Sequence, residues 1–163
     1  MNERQFSTAL IVGAGSGLSA SLARTFHAAG FGIALAARDI DKLADLCTEF
    51  GATAYACDSS DADQVQQLFQ DLDKGIGAPD VVVYNASYRL RGPFAELEPA
   101  EVERALSVSA YGGFLVAQQA VKRMLPKQHG AVLFTGASAS VKGYPQSAAF
   151  AMGKFALRGL AQS

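Results

Sequence analysis

Residues 8–30 read TALIVGAGSGLSASLARTFHAAG, and this stretch decides the fold. Its first five residues are apolar and partly β-branched, which predicts a short strand buried on both faces. Small residues fill the turn from Gly13 to Gly17, and apolar residues then recur at helical spacing from Leu18 until Gly30 ends the helix. Such a turn binds anions, because backbone N–H groups and the positive end of the helix dipole point towards it. The alternative is a structural turn that binds no ligand.

The rest of the chain alternates predicted strands with predicted helices. Further apolar runs predict strands at 31–37, 52–57, 80–84 and 130–135. The intervening segments predict helices, among them a long one over 99–125 that Pro126 ends and a last one that begins near Gln146. Alternation of this kind predicts right-handed βαβ units, and therefore a Rossmann-like, doubly wound parallel sheet in a three-layer α-β-α architecture. The helical pattern still continues at Ser163, so we expect the C-terminal part of the fold to be missing.

Composition bounds the class of protein. The chain has 163 residues, of which 50% are hydrophobic and 18% charged, which predicts a single domain over 1–163 with a sizeable core. The net charge is −1 and no block of like charge occurs, so we expect neither nucleic acid nor a membrane surface as a partner. The longest apolar runs are strand-sized and no signal-peptide core follows Glu3 and Arg4, which favours a cytoplasmic protein.

The cysteines and histidines do not predict a metal site. Cys47 and Cys57 lack metal-ligand spacing, so we expect reduced thiols, with a disulfide as the poorer alternative. His27 falls within a predicted helix and His129 lies beside a turn glycine, and we expect both at the solvated surface.

Short motifs follow the predicted strands in a fixed order. The glycine turn fits Gly-x-x-x-Gly-x-Gly, with Ser19 at the position of the last glycine. Three further motifs follow along the chain: Asp58 after strand three, Asn85-Ala86-Ser87 after strand four and Phe150-Ala151-Met152-Gly153-Lys154 in the last helix. In this order the motifs resemble those of the short-chain dehydrogenase/reductase family over nearly the whole chain. The resemblance implies a nicotinamide dinucleotide at the carboxyl ends of the strands. We predict cofactor contacts for Gly13, Gly15, Ser16, Gly17, Leu18, Arg38, Asp58, Asn85, Ala86, Ser87 and Lys154.

Arg38 indicates which dinucleotide is bound. NAD-binding folds place a carboxylate at the end of the second strand to bind the ribose 2′-hydroxyl, whereas this chain has Ala37 followed by Arg38. A guanidinium suits the 2′-phosphate of NADP(H). Asp39 could argue for NAD(H), which is our second choice, but its position also suits the N-cap of the next helix. An ordinary surface pair between Arg38 and Asp39 is the remaining alternative.

The residues that would carry chemistry depart from the family set. The family uses a tyrosine as proton donor, a serine that orients the substrate oxygen, an asparagine that holds a water, and a lysine. The resemblance places Phe150 at the tyrosine, Ala137 at the serine and Ser109 at the asparagine, so only Lys154 is retained. In the family this lysine also binds the ribose hydroxyls of the cofactor, which fits cofactor binding without proton transfer.

Three residues could replace the missing serine and tyrosine of the family set. Ser138, one residue along, could orient the substrate oxygen. Tyr144, or Tyr111 as the second choice, could serve as the acid, although an aromatic side chain at the rim of the pocket is the simpler interpretation of Tyr144. Arg89 and Arg91 follow strand four and could bind an acidic substrate or simply be solvated.

These patterns predict an NADP(H)-dependent oxidoreductase that acts on a small-molecule carbonyl or alcohol. The alternatives are a degraded relative that binds NADP(H) as a sensor or scaffold, and an interaction module that has lost nucleotide binding. The resemblance also implies a homo-oligomer, because family members pair through the helices predicted at 99–125 and from Gln146.

Overall fold

Five parallel strands form one sheet in the computed structural model, which describes residues 6–163. The strands are β1 (Thr8–Val12), β2 (Gly32–Ala37), β3 (Thr53–Ala56), β4 (Val81–Tyr84) and β5 (Ala131–Phe134). They lie in the order β3-β2-β1-β4-β5, and all four neighbouring pairs are parallel. The order reverses between β1 and β4, which is where doubly wound folds bind ligands. The predicted Rossmann-like α/β fold is confirmed.

Within residues 6–163, six α-helices cover the two faces of this sheet. They are α1 (Leu18–Ala28), α2 (Ala44–Phe50), α3 (Ala62–Lys74), α4 (Pro99–Leu106), α5 (Gly112–Lys127) and α6 (Ala148–Gln162). Asp61 is the N-cap of helix α3, and its carboxylate accepts hydrogen bonds from the N–H groups of Asp63 and Gln64 and so satisfies two of the free donors there.

Alternating strand residues divide the core into two apolar clusters, one on each side of the sheet. Leu10, Val12 and Val82 belong to the cluster that packs against α3, α5 and α6. Ile11 and Leu35 belong to the other, which packs against α1 and α2. All five side chains are almost fully buried, and burial of one such side chain stabilises a fold by about 1.5–3 kcal/mol.

The prediction of one long helix over 99–125 is wrong in two respects. It is interrupted by a π-helical turn, Ser107–Tyr111, which separates α4 from α5. In addition, α5 continues past Pro126 to Lys127 and ends where Gln128 adopts a left-handed conformation with φ 51°. The last helix, predicted to begin near Gln146, begins at Ala148, because Gln146 has a positive φ of 58° that no α-helix accepts.

Tyr84 joins the sheet to the π-helical turn. Its buried hydroxyl donates to the carbonyl of Val108 and lies 3.0 Å from Ser59 Oγ. The helix can approach this closely because a Cβ on Gly112 would stand 2.4 Å from the same hydroxyl. Burial raises the pKa of Tyr84 to about 12, so this phenol stays protonated at neutral pH. It is therefore a structural contact that fixes the turn.

The far edge of the sheet exposes apolar side chains. Leu133 on β5 is 47% exposed, and Leu125 on the neighbouring helix α5 is 69% exposed. Between β5 and α5 lies a shallow depression lined by Phe6, Val121, Met124 and Val132, among others. Among residues 6–163, none of the helices has the length and apolar character that crossing a membrane requires.

Candidate functional site

A cleft of about 540 Å³ opens at the carboxyl ends of β1 to β4. Pockets of about 300–1,000 Å³ are typical for small molecules and cofactors. Eight predicted contact residues line it: Gly13, Gly15, Ser16, Arg38, Asp58, Asn85, Ala86 and Ser87. The predicted contacts Gly17, Leu18 and Lys154 are not part of this wall; Gly17 and Leu18 are solvent-exposed where α1 begins, and Lys154 is buried in α6.

The glycine turn has the geometry of an anion site. Gly13 has a φ of 80°, and a Cβ there would lie 2.3 Å from the backbone nitrogen of Ala86, so only glycine fits. The N–H groups of Gly13 and Ala14 donate to the Ala36 carbonyl. Within residues 6–163 the N–H groups of Gly15 and Ser16 meet no protein acceptor, and the two residues line the cleft next to the N-terminus of α1. A pyrophosphate fits these unsatisfied donors.

Ser19 and Asn85 hold this turn in place. Ser19 Oγ donates to the Gly13 carbonyl at 3.0 Å and accepts from Asn85 Nδ2 at 2.8 Å. Ser19 is buried, so the serine at the family's last glycine position does more than keep the helix close to the sheet. Asn85 thus connects the segment after β4 to the turn after β1, and the two walls of the cleft are rigidly joined.

Two cations stand at the carboxyl end of β2. Arg38 lines the cleft and is solvent-exposed. Lys42 also lines it, with Nζ 2.8 Å from a carboxylate oxygen of Asp39. The other oxygen of Asp39 accepts from the Asp41 N–H at 3.2 Å, so this carboxylate serves the start of the following helical turn, near the expected N-cap. Arg38 and Lys42 together suit an anionic group. The sequence reasoning missed Lys42, although it closely follows Arg38 in the chain.

Asp58 forms the wall at the end of β3. Its carboxylate accepts from the backbone N–H of Ser60 at 3.0 Å and from Ser60 Oγ at 2.6 Å. Although partial burial acts in the opposite direction, these hydrogen bonds and the positive charge of Arg38 lower the pKa of Asp58. It is therefore an acceptor at neutral pH and suits N–H donors of an adenine.

Lys154 is buried in α6 and is held by the end of β5. Its Nζ donates to the Thr135 carbonyl at 2.7 Å, and the residue is 3% exposed. Desolvation by burial lowers the pKa of Lys154 from its usual value. A buried ammonium with one protein acceptor has two donors left for a ligand or water.

Phe150 lies one helical turn before Lys154 and contacts two cations. Lys154 Nζ is 5.7 Å from the centroid of its ring, and Arg89 Cζ is 5.3 Å from it. Cation–π contacts at such distances are favourable, and the ring carries no hydroxyl through which it could donate a proton.

Ser109 and the segment around Ser138 complete this end of the site. Ser109 is buried in the π-helical turn, and its Oγ accepts from the Tyr88 N–H at 3.2 Å. Ala137 and Ser138 are exposed, and Ser138 begins a single 3₁₀ turn. The hydroxyl fixed within that turn belongs to Ser140, which is buried and accepts from the Ala137 N–H at 3.1 Å. Ser140 was missed because the sequence does not indicate which serine of the turn is buried.

The two tyrosines considered as substitute acids are both exposed. Tyr144 is 43% exposed, and Lys142 Nζ is 5.6 Å from its ring. Tyr111 is 50% exposed and stacks on Phe114 with ring centroids 6.3 Å apart. Neither phenol is hydrogen-bonded to another described residue.

The cysteines and histidines are placed as follows. Cys47 and Cys57 are free thiols, and burial raises the pKa of Cys57 to about 11, which leaves it unreactive. His27 is exposed, as expected. The solvated position expected for His129 is wrong, because its ring packs 4.4 Å from Phe6 and its side chain is only 17% exposed. No group of three or more potential metal ligands occurs in the described part of the chain.

Known proteins are similar to this chain in sequence and in fold. An acetoxyl-apo-melianone synthase SDR of Melia azedarach is 32% identical over 162 residues, and the match covers 95% of this chain and 59% of that protein. A D-threitol dehydrogenase of Mycolicibacterium smegmatis is 28% identical, with coverages of 94% and 61%. The crystal structure of a gluconate 5-dehydrogenase from Burkholderia cenocepacia, in complex with NADP and tartrate, superposes with a TM-score of 0.88 at 30% identity, with coverages of 94% and 62%.

The chain therefore spans about three fifths of the length of these relatives. The family model described as short chain dehydrogenase matches residues 7–163, which is the whole described part of the chain apart from Phe6. By this match, and by a sheet order and glycine turn of the same type, the chain belongs to the short-chain dehydrogenase family.

Proposed function

We propose that the protein is an NADP(H)-dependent oxidoreductase that interconverts a small carbonyl compound and its alcohol. The observation that carries the proposal is the cleft at the carboxyl ends of β1 to β4, with free N–H donors at the glycine turn and two cations after β2. When bound, the cofactor would supply or accept the hydride. The protein's part is to hold the dinucleotide, position the substrate and manage one proton.

The binding role divides among residues of the cleft and of α6. The N–H groups of Gly15 and Ser16 would bind the pyrophosphate, and Arg38 would bind the 2′-phosphate. Asp58 would accept from the adenine. Lys154 would bind the ribose hydroxyls with the donors that Thr135 leaves free. NADP(H) is preferred over NAD(H) because Ala37 occupies the place of the carboxylate that an NAD site requires and the guanidinium of Arg38 follows it.

The proton-transfer role lacks its usual donor. Phe150 cannot donate a proton. Ser109 stands where the family has an asparagine, and its buried hydroxyl accepts a hydrogen bond from the Tyr88 N–H. Lys154 is the remaining titratable group beside the ring. These observations favour slow catalysis, and they also support the second candidate function, an NADP(H)-binding sensor or scaffold. Tyr144 and Ser138 remain the proposed substitutes for the missing hydroxyls.

Fluorescence titration with NADPH and NADH tests the binding part of the proposal. We expect NADPH to bind about tenfold to a hundredfold more tightly, since a charge-assisted hydrogen bond contributes about 1.5–3 kcal/mol. Oxidation of NADPH followed at 340 nm against a panel of carbonyl compounds then separates the two candidates. Binding without turnover supports the sensor, and the absence of binding excludes both.

The exposed aromatic side chains on α5 and α6 support a homo-oligomer. Tyr111 precedes α5, Phe114 lies in its first turn, and both are at least 42% exposed; Met152 and Phe155 on α6 are similarly exposed. We propose self-association through these helices and a cytoplasmic location; light scattering would measure the mass in solution.

A further inference from the structure

Arg89 lies beside Phe150, in the segment that follows β4. It follows Ser87, which lines the cleft, by two residues, and its guanidinium stands over the Phe150 ring. Phe150 is the position at which the family carries its proton donor, so a group that contacts this ring is close to the reacting end of a bound substrate. The family resemblance assigns no function to Arg89.

The segment that carries Arg89 is fixed on both sides. The N–H of Tyr88 donates to Ser109 Oγ at 3.2 Å, and the N–H of Gly92 donates to the carbonyl of Gln146 at 3.2 Å. One contact attaches the loop to the π-helical turn, and the other attaches it to the segment that precedes α6. A guanidinium over an aromatic ring keeps in-plane N–H donors for a ligand, so the Phe150 contact orients the group without saturating it.

The positive charge of Arg89 has no counter-charge in the part of the chain that the structure describes. Among residues 6–163, no carboxylate lies within ion-pair distance of it. Glu101 contacts the neighbouring residue Tyr88, but its carboxylate already accepts a hydrogen bond from the Tyr88 hydroxyl and pairs with Arg104 at 3.9 Å. Lys154 adds a second cation at the same ring. An oriented cation pair without an acidic partner attracts an anion.

We propose that Arg89 binds the anionic group of the substrate, a carboxylate or a phosphate, and thereby selects acidic carbonyl compounds. The inference rests on the proposed function in that the anion belongs to the molecule being reduced. A planar guanidinium can bind either anion through two parallel hydrogen bonds, which fixes orientation as well as charge.

The test measures anion binding and turnover separately. Isothermal titration of the protein with malonate and with inorganic phosphate, at low ionic strength and with and without NADPH, compares wild type with Arg89→Gln. Arg91→Gln is the matched control, because Arg91 is an exposed arginine of the same loop that contacts no aromatic ring among the described residues. We expect Arg89→Gln to weaken the better-bound anion about tenfold and Arg91→Gln to weaken it less than about twofold. Arg89→Lys should restore part of the loss.

The turnover arm uses pyruvate and its uncharged methyl ester with NADPH. We expect wild type to have the higher kcat/KM for pyruvate, and Arg89→Gln to lose that preference while its affinity for NADPH is unchanged. If NADPH binds but Arg89→Gln leaves both anion affinities unchanged, or if Arg91→Gln causes an equal loss, the anion site is wrong. If NADPH does not bind while malonate or phosphate binding depends on Arg89, the anion site stands and the proposed function fails.

Discussion

The two halves of the cleft differ in how closely their residues fit a short-chain dehydrogenase. In the half formed by β1 to β3, the glycine turn, Arg38 and Asp58 line the cleft. In the other half, near β4, α4, α5 and α6, Phe150 and Ala137 lie at the positions where the resemblance to the family places the tyrosine and the serine that act on the proton. From this difference we propose that binding and chemistry are separable in this fold, because each half can change while the sheet between them stays the same.

The largest effect that would test this difference between the two halves is expected at Phe150. We expect Phe150→Tyr to raise the rate of NADPH-dependent carbonyl reduction by about 10²–10⁴-fold, the usual contribution of a positioned general acid. The new hydroxyl would lie beside Lys154, whose Nζ is 5.7 Å from the ring centroid. NADPH consumption at 340 nm measures the rate, and adding Ala137→Ser should raise it further.

Phe155→Tyr is the matched control, since it adds the same oxygen to an exposed ring elsewhere on α6. Lys154→Ala should abolish the gained activity. If wild type already reacts fast and Phe150→Tyr changes nothing, another acid acts in this half, and Tyr144→Phe becomes the decisive variant.

The glycine turn tests the binding half. Gly13→Ala should lower the free energy of unfolding by about 2–5 kcal/mol, because a left-handed alanine costs about 1–2 kcal/mol and the clash with Ala86 about 1–3 kcal/mol more. Urea unfolding followed by circular dichroism measures the change. Gly143 has open space around its Cβ position and no positive φ, so Gly143→Ala should change stability by at most about 1 kcal/mol.

Gly15→Ala separates binding from folding. Its Cβ would meet no atom within 4 Å, and the residue lines the cleft. We therefore expect normal stability and weaker cofactor binding. Equal stability of Gly13→Ala and wild type would show that the contact between the turn and Ala86 is looser than the structure has it.

The binding half was also the half that the sequence predicted best. Glycine turns and short apolar strands are local signals, so the turn after β1 and the residues after β2 and β3 could be assigned from the sequence. The contacts of the other half connect distant segments. Tyr84 meets Val108, and Arg89 meets Phe150, only because loops and a π-helical turn bring them together. Apolar periodicity predicted one unbroken helix over 99–125 and contained no signal for that turn.

Arg38 tests the cofactor preference within the binding half. Arg38→Ala should remove most of the preference for NADPH, a loss of about tenfold to a hundredfold in NADPH affinity, while NADH binding is nearly unchanged. Lys42→Ala should have the smaller effect, since Asp39 already pairs with Lys42 at 2.8 Å. Lys74→Ala is the remote control on α3. Fluorescence titration measures the NADPH affinity of all three variants. If Lys42→Ala and Lys74→Ala lose affinity equally and Arg38→Ala loses none, the 2′-phosphate binds elsewhere.

Asp80 joins the two halves at the amino ends of β1 and β4, and its replacement has the smallest expected effect. One carboxylate oxygen accepts from the backbone N–H and the hydroxyl of both Ser7 and Thr8. Although burial acts in the opposite direction, these hydrogen bonds lower the pKa of Asp80. Asp80→Asn keeps an acceptor but loses the charge, so it should lower the free energy of unfolding by about 1 kcal/mol at pH 7.

The pH dependence identifies the cause of that loss. Because the pKa of Asp80 is lower in the folded than in the unfolded protein, its contribution is complete above the unfolded value of about 3.9 and is lost as pH falls through the folded value. The stability difference between wild type and Asp80→Asn should therefore shrink below about pH 4, in urea unfolding measured from pH 7 to pH 3. His129 Nε2, 4.0 Å from the other carboxylate oxygen, also faces this group, so the series is repeated in His129→Gln. Parallel curves for wild type and Asp80→Asn over the whole range would mean that the hydrogen bonds from Ser7 and Thr8 do not depend on the charge, and that β1 and β4 are held together by their backbone pairing alone.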